Sequence, residues 1–155
     1  MQAEQARGDR FTDFVEETEP RLRFALAAAL GQEQGREATA EALAYAWEHW
    51  EEIQPMDNPA GYLYRVGRSR GRFRRRRRVF AEVPSNHQPA VEPHLPRAVA
   101  RLSERQRVAV VLVHGFGWTR PEVAELLGIS VSAVNAHVQR ALSKLRTALG
   151  VEIDV

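Results

Sequence analysis

The sequence predicts an all-α protein of two small helical domains joined by a proline-rich linker. Apolar residues recur at spacings of three and four in both halves, and no sustained period-two alternation competes with them. Four of the eight prolines, Pro84, Pro89, Pro93 and Pro96, fall within thirteen residues. Proline removes a backbone donor and disfavours helix in the residue before it, so this stretch reads as a connection. The expected division is residues 8–78, a linker 79–95, and residues 96–150. Each block alone would bury only about 60% of its extended-chain surface, so each is a marginal domain or one helped by a partner.

In the first block Phe11, Phe14, Val15, Leu22, Leu26, Ala29 and Leu30 make one stripe, interrupted near Pro20 and ended by Gly31. Ala38 to Ile53 continues with Ala42, Leu43, Ala46, Trp47 and Trp50, the tryptophans facing the core. Asn58-Pro59 places a capping residue before a proline at the first helical position and opens a third helix. One side of that helix would carry Leu63, Val66, Gly67, Arg70 and Phe73.

The second block is punctuated more sharply. Ser103 to Gln106 has capping-box spacing and opens a helix over Glu104 to Val113, which Gly115 and Gly117 end. Thr119 to Glu122 is a second such box, opening a short helix that stops at Gly128. Ser130 then caps a long helix whose buried stripe would be Val131, Val134, Val138, Ala141, Leu142, Leu145 and Leu149. A short helix, a glycine turn and a second helix with a polar first half make a helix-turn-helix, the arrangement that carries side chains into a major groove. The outward face of the long helix holds Ser132, Ala133, Asn135, Ala136, Gln139 and Arg140. Asn and Gln suit adenine, Arg suits guanine, and Ala can touch a thymine methyl. Arg120 stands at the start of the supporting helix, placed for a phosphate.

Charge is divided by position. The 22 basic and 20 acidic residues give a net charge of only +2, yet residues 1–63 carry 13 acids and 5 arginines, and residues 64–80 carry 9 arginines and no acid. Only Lys144 among the bases is a lysine, and the arginine excess favours planar contact with phosphates. The run from Tyr62 to Arg78 mixes its arginines with Tyr62, Tyr64 and Phe73, which suits single-stranded DNA, where bases stack on aromatic faces at about 1–3 kcal/mol each. A basic helix end that binds any polyanion fits the charge equally well. The helix Arg36 to Glu52 exposes Glu37, Glu41, Glu48, Glu51 and Glu52, which reads either as a solvated face or as a surface for a second partner.

Other classes are excluded. With no cysteine there is no disulfide scaffold, zinc ribbon, iron–sulfur centre or thiol nucleophile. The five histidines, His49, His87, His94, His114 and His137, lack metal-ligand spacing, and no phosphate loop or hydrolase motif occurs, so neither enzyme, metal nor cofactor is expected. The longest apolar runs, Ala25 to Leu30 and Val108 to Val113, are six residues, far below the roughly 20 that span a bilayer. Charged residues throughout the first fifteen positions leave no signal-peptide core, so a cytoplasmic protein without membrane or small-molecule partners is expected.

Asn58-Pro-Ala-Gly-Tyr-Leu-Tyr-Arg-Val-Gly-Arg68 resembles the end of region 2 of the extracytoplasmic-function (ECF) branch of the bacterial sigma-70 family. Leu95 to Leu112 is similar to the start of that family's region 4, and Glu122 to Ser130 and Arg140 to Arg146 continue it. The two patterns in this order, across a short linker, give the resemblance its specificity. It implies a promoter-specificity subunit of core RNA polymerase. Region 2 would bind the polymerase clamp helices through Glu37, Ala40, Glu41 and Glu48, and would capture a melted −10 element with Tyr62, Tyr64, Arg65, Arg68, Arg70, Arg72, Arg75 and Arg76. Region 4 would sit on the polymerase flap and read duplex −35 DNA with Arg120, Ser132, Ala133, Asn135, Ala136, His137, Gln139 and Arg140. The family also makes an anti-sigma protein a plausible partner.

The 17 residues from Val79 to Leu95 reach about 56 Å extended and about 23 Å as a coil, enough for two DNA contacts more than one helical turn apart. This chain departs from the family at Ala40, where a Gln is usual, at Ser69 and Phe73 past the end of the region 2 match, and at Asn135 and His137, where Lys and Arg are frequent. Two other readings follow from the same residues: a sigma-like regulator that binds DNA or polymerase without supporting initiation, and an arginine-rich RNA-binding module.

Overall fold

The computed structural model describes residues 1–78 and 94–150, with the side chains of 72–78 and 94 left aside. Every regular element among the described residues is a helix, none is a strand, and the chain divides into two compact units at Arg76–Arg77. Most of the expected linker, residues 79–93, lies outside the described residues.

The first unit is a helical hairpin with a third long helix laid across it. Helix α1 runs Gln2–Leu30 and α2 runs Gln32–Glu48, joined by Gly31 alone, whose φ of 92° is the left-handed backbone that glycine tolerates. Contrary to the expected interruption, α1 continues through Pro20. Proline there removes one backbone hydrogen bond, but Thr18, Leu22, Ala25 and Leu26 are buried on either side and hold the helix in register. The hairpin closes tightly at Gly35, where an added Cβ would lie 2.5 Å from the Ala27 backbone nitrogen.

The helix expected to run on to Ile53 breaks at His49, whose ψ of 25° is not helical, and a short α3, Trp50–Ile53, follows. Helix α4, Pro59–Arg78, starts as expected: Asn58 Oδ1 accepts from the Gly61 N–H at 3.0 Å. It seats on the hairpin through Gly67, where a Cβ would meet Leu26 Cδ1 at 2.8 Å and the Ala38 carbonyl at 3.2 Å, and through Gly71 against Leu30. Leu22, Ala25, Leu26, Ala38, Ala42, Ala46, Trp50, Ile53 and Leu63 fill the core between these helices.

The second unit begins with α5, His94–Arg101, two residues before the expected domain start. Helix α6, Glu104–Val110, is capped by Ser103 Oγ, which accepts from the Gln106 N–H at 3.3 Å. The helix does not continue regularly to Val113. It widens into a π-turn over Val111–Gly115, in which the Phe116 N–H reaches back to the Val111 carbonyl at 3.1 Å while Leu112 stays fully buried. Gly117, with φ of 71°, turns the chain towards the next helix.

Helices α7, Arg120–Leu127, and α8, Val131–Leu149, follow the predicted punctuation. Thr119 Oγ1 accepts from Glu122 N–H at 3.2 Å, Ser130 Oγ accepts from Ala133 N–H at 3.0 Å, and Gly128 is left-handed at φ 66°. Leu112, Val123, Leu126, Val134, Val138 and Ala141 are buried in this unit, and Leu142 and Leu145 pack against its Leu102–Val110–Ala141 cluster.

Candidate nucleic-acid interface

Helix α8 is anchored by Val134, Val138 and Ala141, so the residues displaced from them around the axis are turned out of the core. At 3.6 residues per turn Ser132, Ala136 and Gln139 share one line, Asn135 lies on one flank, and Ala133, His137 and Arg140 lie on the other. Ser132, Gln139 and Arg140 are exposed, while Ala133, Asn135, Ala136 and His137 are half-buried. Arg120 is exposed in the first turn of α7. The eight residues expected on this surface therefore belong to two adjacent helices that pack together. Val131, expected in the buried stripe, is instead 41% exposed in the first turn of the same helix.

His137 has a distinct environment. Its Nδ1 is sealed from solvent with no hydrogen-bond partner, whereas Nε2 is not. Burial first, and then the charges of Arg105 and Arg140, push the imidazole below its ordinary value of 6.5, so the ring is neutral. A proton on Nε2 leaves only a lone pair, not an N–H, in the sealed position.

On the first unit, α4 divides its predicted residues between core and surface. Arg65 and Arg70 are exposed and Arg68 is half-buried. Tyr64 is 3% exposed and therefore cannot offer its ring to a base, a correction to the sequence expectation. The expectation had Val66 and Arg70 on the packed side. The packed side is instead Leu63, Tyr64, Gly67 and Gly71, because the glycines set the line of closest approach. Arg72, Arg75 and Arg76 continue α4, but their side chains, like the Phe73 ring, lie outside the described residues.

Tyr62 is half-buried and joins two residues of α2's end that sequence reasoning missed. Its hydroxyl lies 3.2 Å from the Tyr45 hydroxyl, and the Tyr45 ring stacks on His49 at 4.1 Å and 21°. His49 Nδ1–H donates to the Tyr45 carbonyl at 3.0 Å, and the Arg70 guanidinium sits 5.0 Å from the Tyr45 ring centre. The Tyr62 hydrogen bond, followed by burial, raises the Tyr45 hydroxyl above its ordinary value of 10.0, so it stays neutral. The available signal was the i, i+4 spacing of Tyr45 and His49, which puts the two rings on one face.

The acidic face of α2 also has an apolar component. Glu37 and Glu41 are half-buried, and Ala40 and Glu48 are exposed. Trp47, expected in the core, is 40% exposed. It is held by Arg7, whose guanidinium lies 4.2 Å from its ring and whose Nη2 donates to the Trp47 carbonyl at 2.8 Å, and by Phe11 at 5.0 Å. Among the described residues no His, Cys, Asp or Glu group is arranged to hold a metal, and no helix is long and apolar enough to cross a membrane.

A helix-turn-helix unit preceded by a separate helical unit with an arginine-rich last helix defines a two-part DNA-binding protein of sigma type. Residues 95–145 match the family description "Sigma-70, region 4". Over 158 aligned residues the chain is 27% identical to the ECF RNA polymerase sigma factor EcfG of Rhodopseudomonas palustris, covering 93% of this chain and 87% of that protein. It is 34% identical to the RNA polymerase sigma-E factor of Streptomyces coelicolor, over 70% of this chain and 67% of the relative.

Solved structures share the fold. The sigma factor RpoE from Bartonella quintana, in complex with the anti-sigma factor NepR, superposes with a TM-score of 0.63 at 20% identity, over 93% of this chain and 99% of that one. CnrH, in complex with the cytosolic domain of CnrY, gives 0.62 at 24%, over 97% and 96%. The chain belongs to the ECF branch of the sigma-70 family of RNA polymerase sigma factors.

Proposed function

We propose that the chain directs core RNA polymerase to specific promoters, with the first unit bound to the polymerase clamp helices and to a melted −10 strand and the second on the flap with α8 in a duplex −35 groove. The observation that carries this is the pairing, in one chain, of a capped helix-turn-helix with an acidic α2 and an arginine-rich α4. Opposite charges on α2 and α4 suit a protein partner and a nucleic acid respectively. Its role is recognition, with bond formation left to the polymerase in the cytoplasm.

On α2 the docking surface would be Glu37, Ala40, Glu41 and Glu48, with the exposed Trp47 as an apolar anchor at its end. Base capture falls to Tyr62, Arg65, Arg68 and Arg70, continued by Arg72, Arg75 and Arg76. Groove reading falls to Asn135, Ala136, Gln139 and Arg140, supported by Ser132, Ala133, His137 and Arg120. An anti-sigma partner is a further proposal, since the similar RpoE and CnrH chains are described in complex with such proteins. Co-purification with core RNA polymerase at low salt tests the assignment. Retention of the wild-type chain and its loss in a Trp47→Ala, Glu48→Ala double variant are expected, and failure of the folded wild-type chain to bind core overturns the reading.

A further inference from the structure

The end of α2 and the outer side of α4 share a polar cluster that the packing of the two helices does not require. Helix α4 is seated by the close approach of Gly67 to Leu26 and the Ala38 carbonyl and of Gly71 to Leu30, with Leu63 buried beneath it. Tyr45, His49 and Tyr62 lie half-buried at the rim of that contact, and Arg70 is exposed. Two phenylalanines would supply the same apolar area at positions 45 and 62 without taking two hydroxyls partly out of water.

The Tyr45 ring has three polar neighbours. His49 stacks on it at 4.1 Å, the Arg70 guanidinium lies 5.0 Å from its centre, and the Tyr62 hydroxyl is 3.2 Å from its own. The ring is fixed at its root as well, because His49 Nδ1–H donates to the Tyr45 carbonyl where α2 ends. A phenol has one proton to donate. The bond to Tyr62 raises the Tyr45 hydroxyl above 10.0, the direction expected when Tyr45 keeps its proton and donates it. The Tyr62 oxygen then accepts, and its own O–H is left for a further acceptor and strengthened by the bond behind it. Among the described residues Tyr45 is the one partner of that hydroxyl, and Arg70 has no ion-pair partner.

We propose that Tyr45 is a positioning residue for strand capture, holding the Tyr62 hydroxyl and the Arg70 guanidinium ready for a single DNA strand at positions about 12 Å apart along α4, with His49 holding Tyr45 in turn. It rests on the reading of α4 as the strand-binding helix and adds two residues of α2 that act through their neighbours. Arginine loses many rotamers when it binds, and a guanidinium already stacked on a ring has met that cost in folding. The hydroxyl pair does the same for Tyr62 by fixing which way its proton points.

The test measures binding of a fluorescent single-stranded DNA pool of randomised sequence by the full chain, alone and bound to core RNA polymerase, with duplex binding by the second unit as the internal reference. Tyr45→Phe keeps the ring and loses only the hydroxyl, and should weaken single-strand binding roughly 2- to 10-fold, the range for one hydrogen bond, with the salt slope unchanged. Tyr62→Phe should lose at least as much, and the double variant no more than Tyr62→Phe. The two single variants lose the same internal hydrogen bond and should melt alike, so a purely structural role predicts equal and additive effects. Tyr45→Leu also removes the ring beneath Arg70 and should cost roughly a further 2- to 5-fold, a cost absent in an Arg70→Ala background. Wild-type single-strand affinity in Tyr45→Phe, or losses that add in the double variant, overturns the positioning role while leaving strand capture by α4 standing. No single-strand binding by the wild-type chain in either state overturns both.

Discussion

The tight crossing of α1 and α2 makes Gly35→Ala the sharpest test of how the first unit is built. A Cβ at position 35 would lie 2.5 Å from Ala27 N, 2.6 Å from Ala27 Cα and 2.8 Å from Leu26 C, all backbone atoms, where real Cβ contacts essentially never fall below 3.0 Å. No side chain can swing away, so α1 itself must move, and Leu26, fully buried beneath it, must be repacked. Overpacking of this kind costs about 1–3 kcal/mol and here sits at the top of that range or above it. Replacing glycine within a helix returns about 1 kcal/mol of propensity. The net loss is about 2 kcal/mol, which in a unit of this size lowers the melting temperature by roughly 8–16 °C.

Gly8→Ala is the control, because nothing lies within 4 Å of its added Cβ and only the propensity gain remains. Thermal melts followed by circular dichroism should therefore move in opposite directions for the two substitutions. A Gly35→Ala protein that melts at or above wild type refutes the crossing, and with it the placement of the acidic face of α2.

Three further outcomes follow from the two units. Asn135→Ala should cost about 1–3 kcal/mol at one −35 position and little elsewhere, which a binding-site selection reads directly; an equal loss on every sequence contradicts base reading there. Tyr62→Phe removes the largest cause of the raised Tyr45 hydroxyl, so ultraviolet titration should show Tyr45 ionising closer to 10.0, and an unchanged titration denies the hydroxyl pair. His137 is held below 6.5 in the folded state, so the unfolded chain binds more protons there as pH falls. Its contribution to stability is complete above about 6.5 and is lost on acidification through that value toward the lower folded one. The acid-side decline in denaturation midpoint should be shallower in His137→Gln, and an identical decline in both proteins counts against the sealed Nδ1.

Local chemistry was legible in the sequence. Asn58, Ser103, Thr119 and Ser130 each satisfy a backbone N–H three residues ahead, and Gly128 adopts the left-handed turn, because these features depend on neighbours close in the chain. Features set by distant contacts were not. Pro20 stays inside α1 because the hairpin supports both sides of it, and Tyr64 is buried because Gly67 and Gly71 choose which side of α4 meets Leu26 and Leu30. Trp47 is exposed because Arg7 and Phe11, some forty residues earlier, hold it at the surface.

The candidate site shows the same split. The positions along α8 follow from periodicity, but Val131's exposure and the Tyr45–His49 stack needed the packed helices.

The central claim is that the two units act together to start transcription. In vitro transcription with core RNA polymerase on a randomised promoter library measures this directly. The account predicts transcripts from a defined subset whose upstream sequences share two motifs, one read by α8 and one by α4. Binding to core without any enriched promoter, or a duplex footprint that blocks transcription, would contradict it.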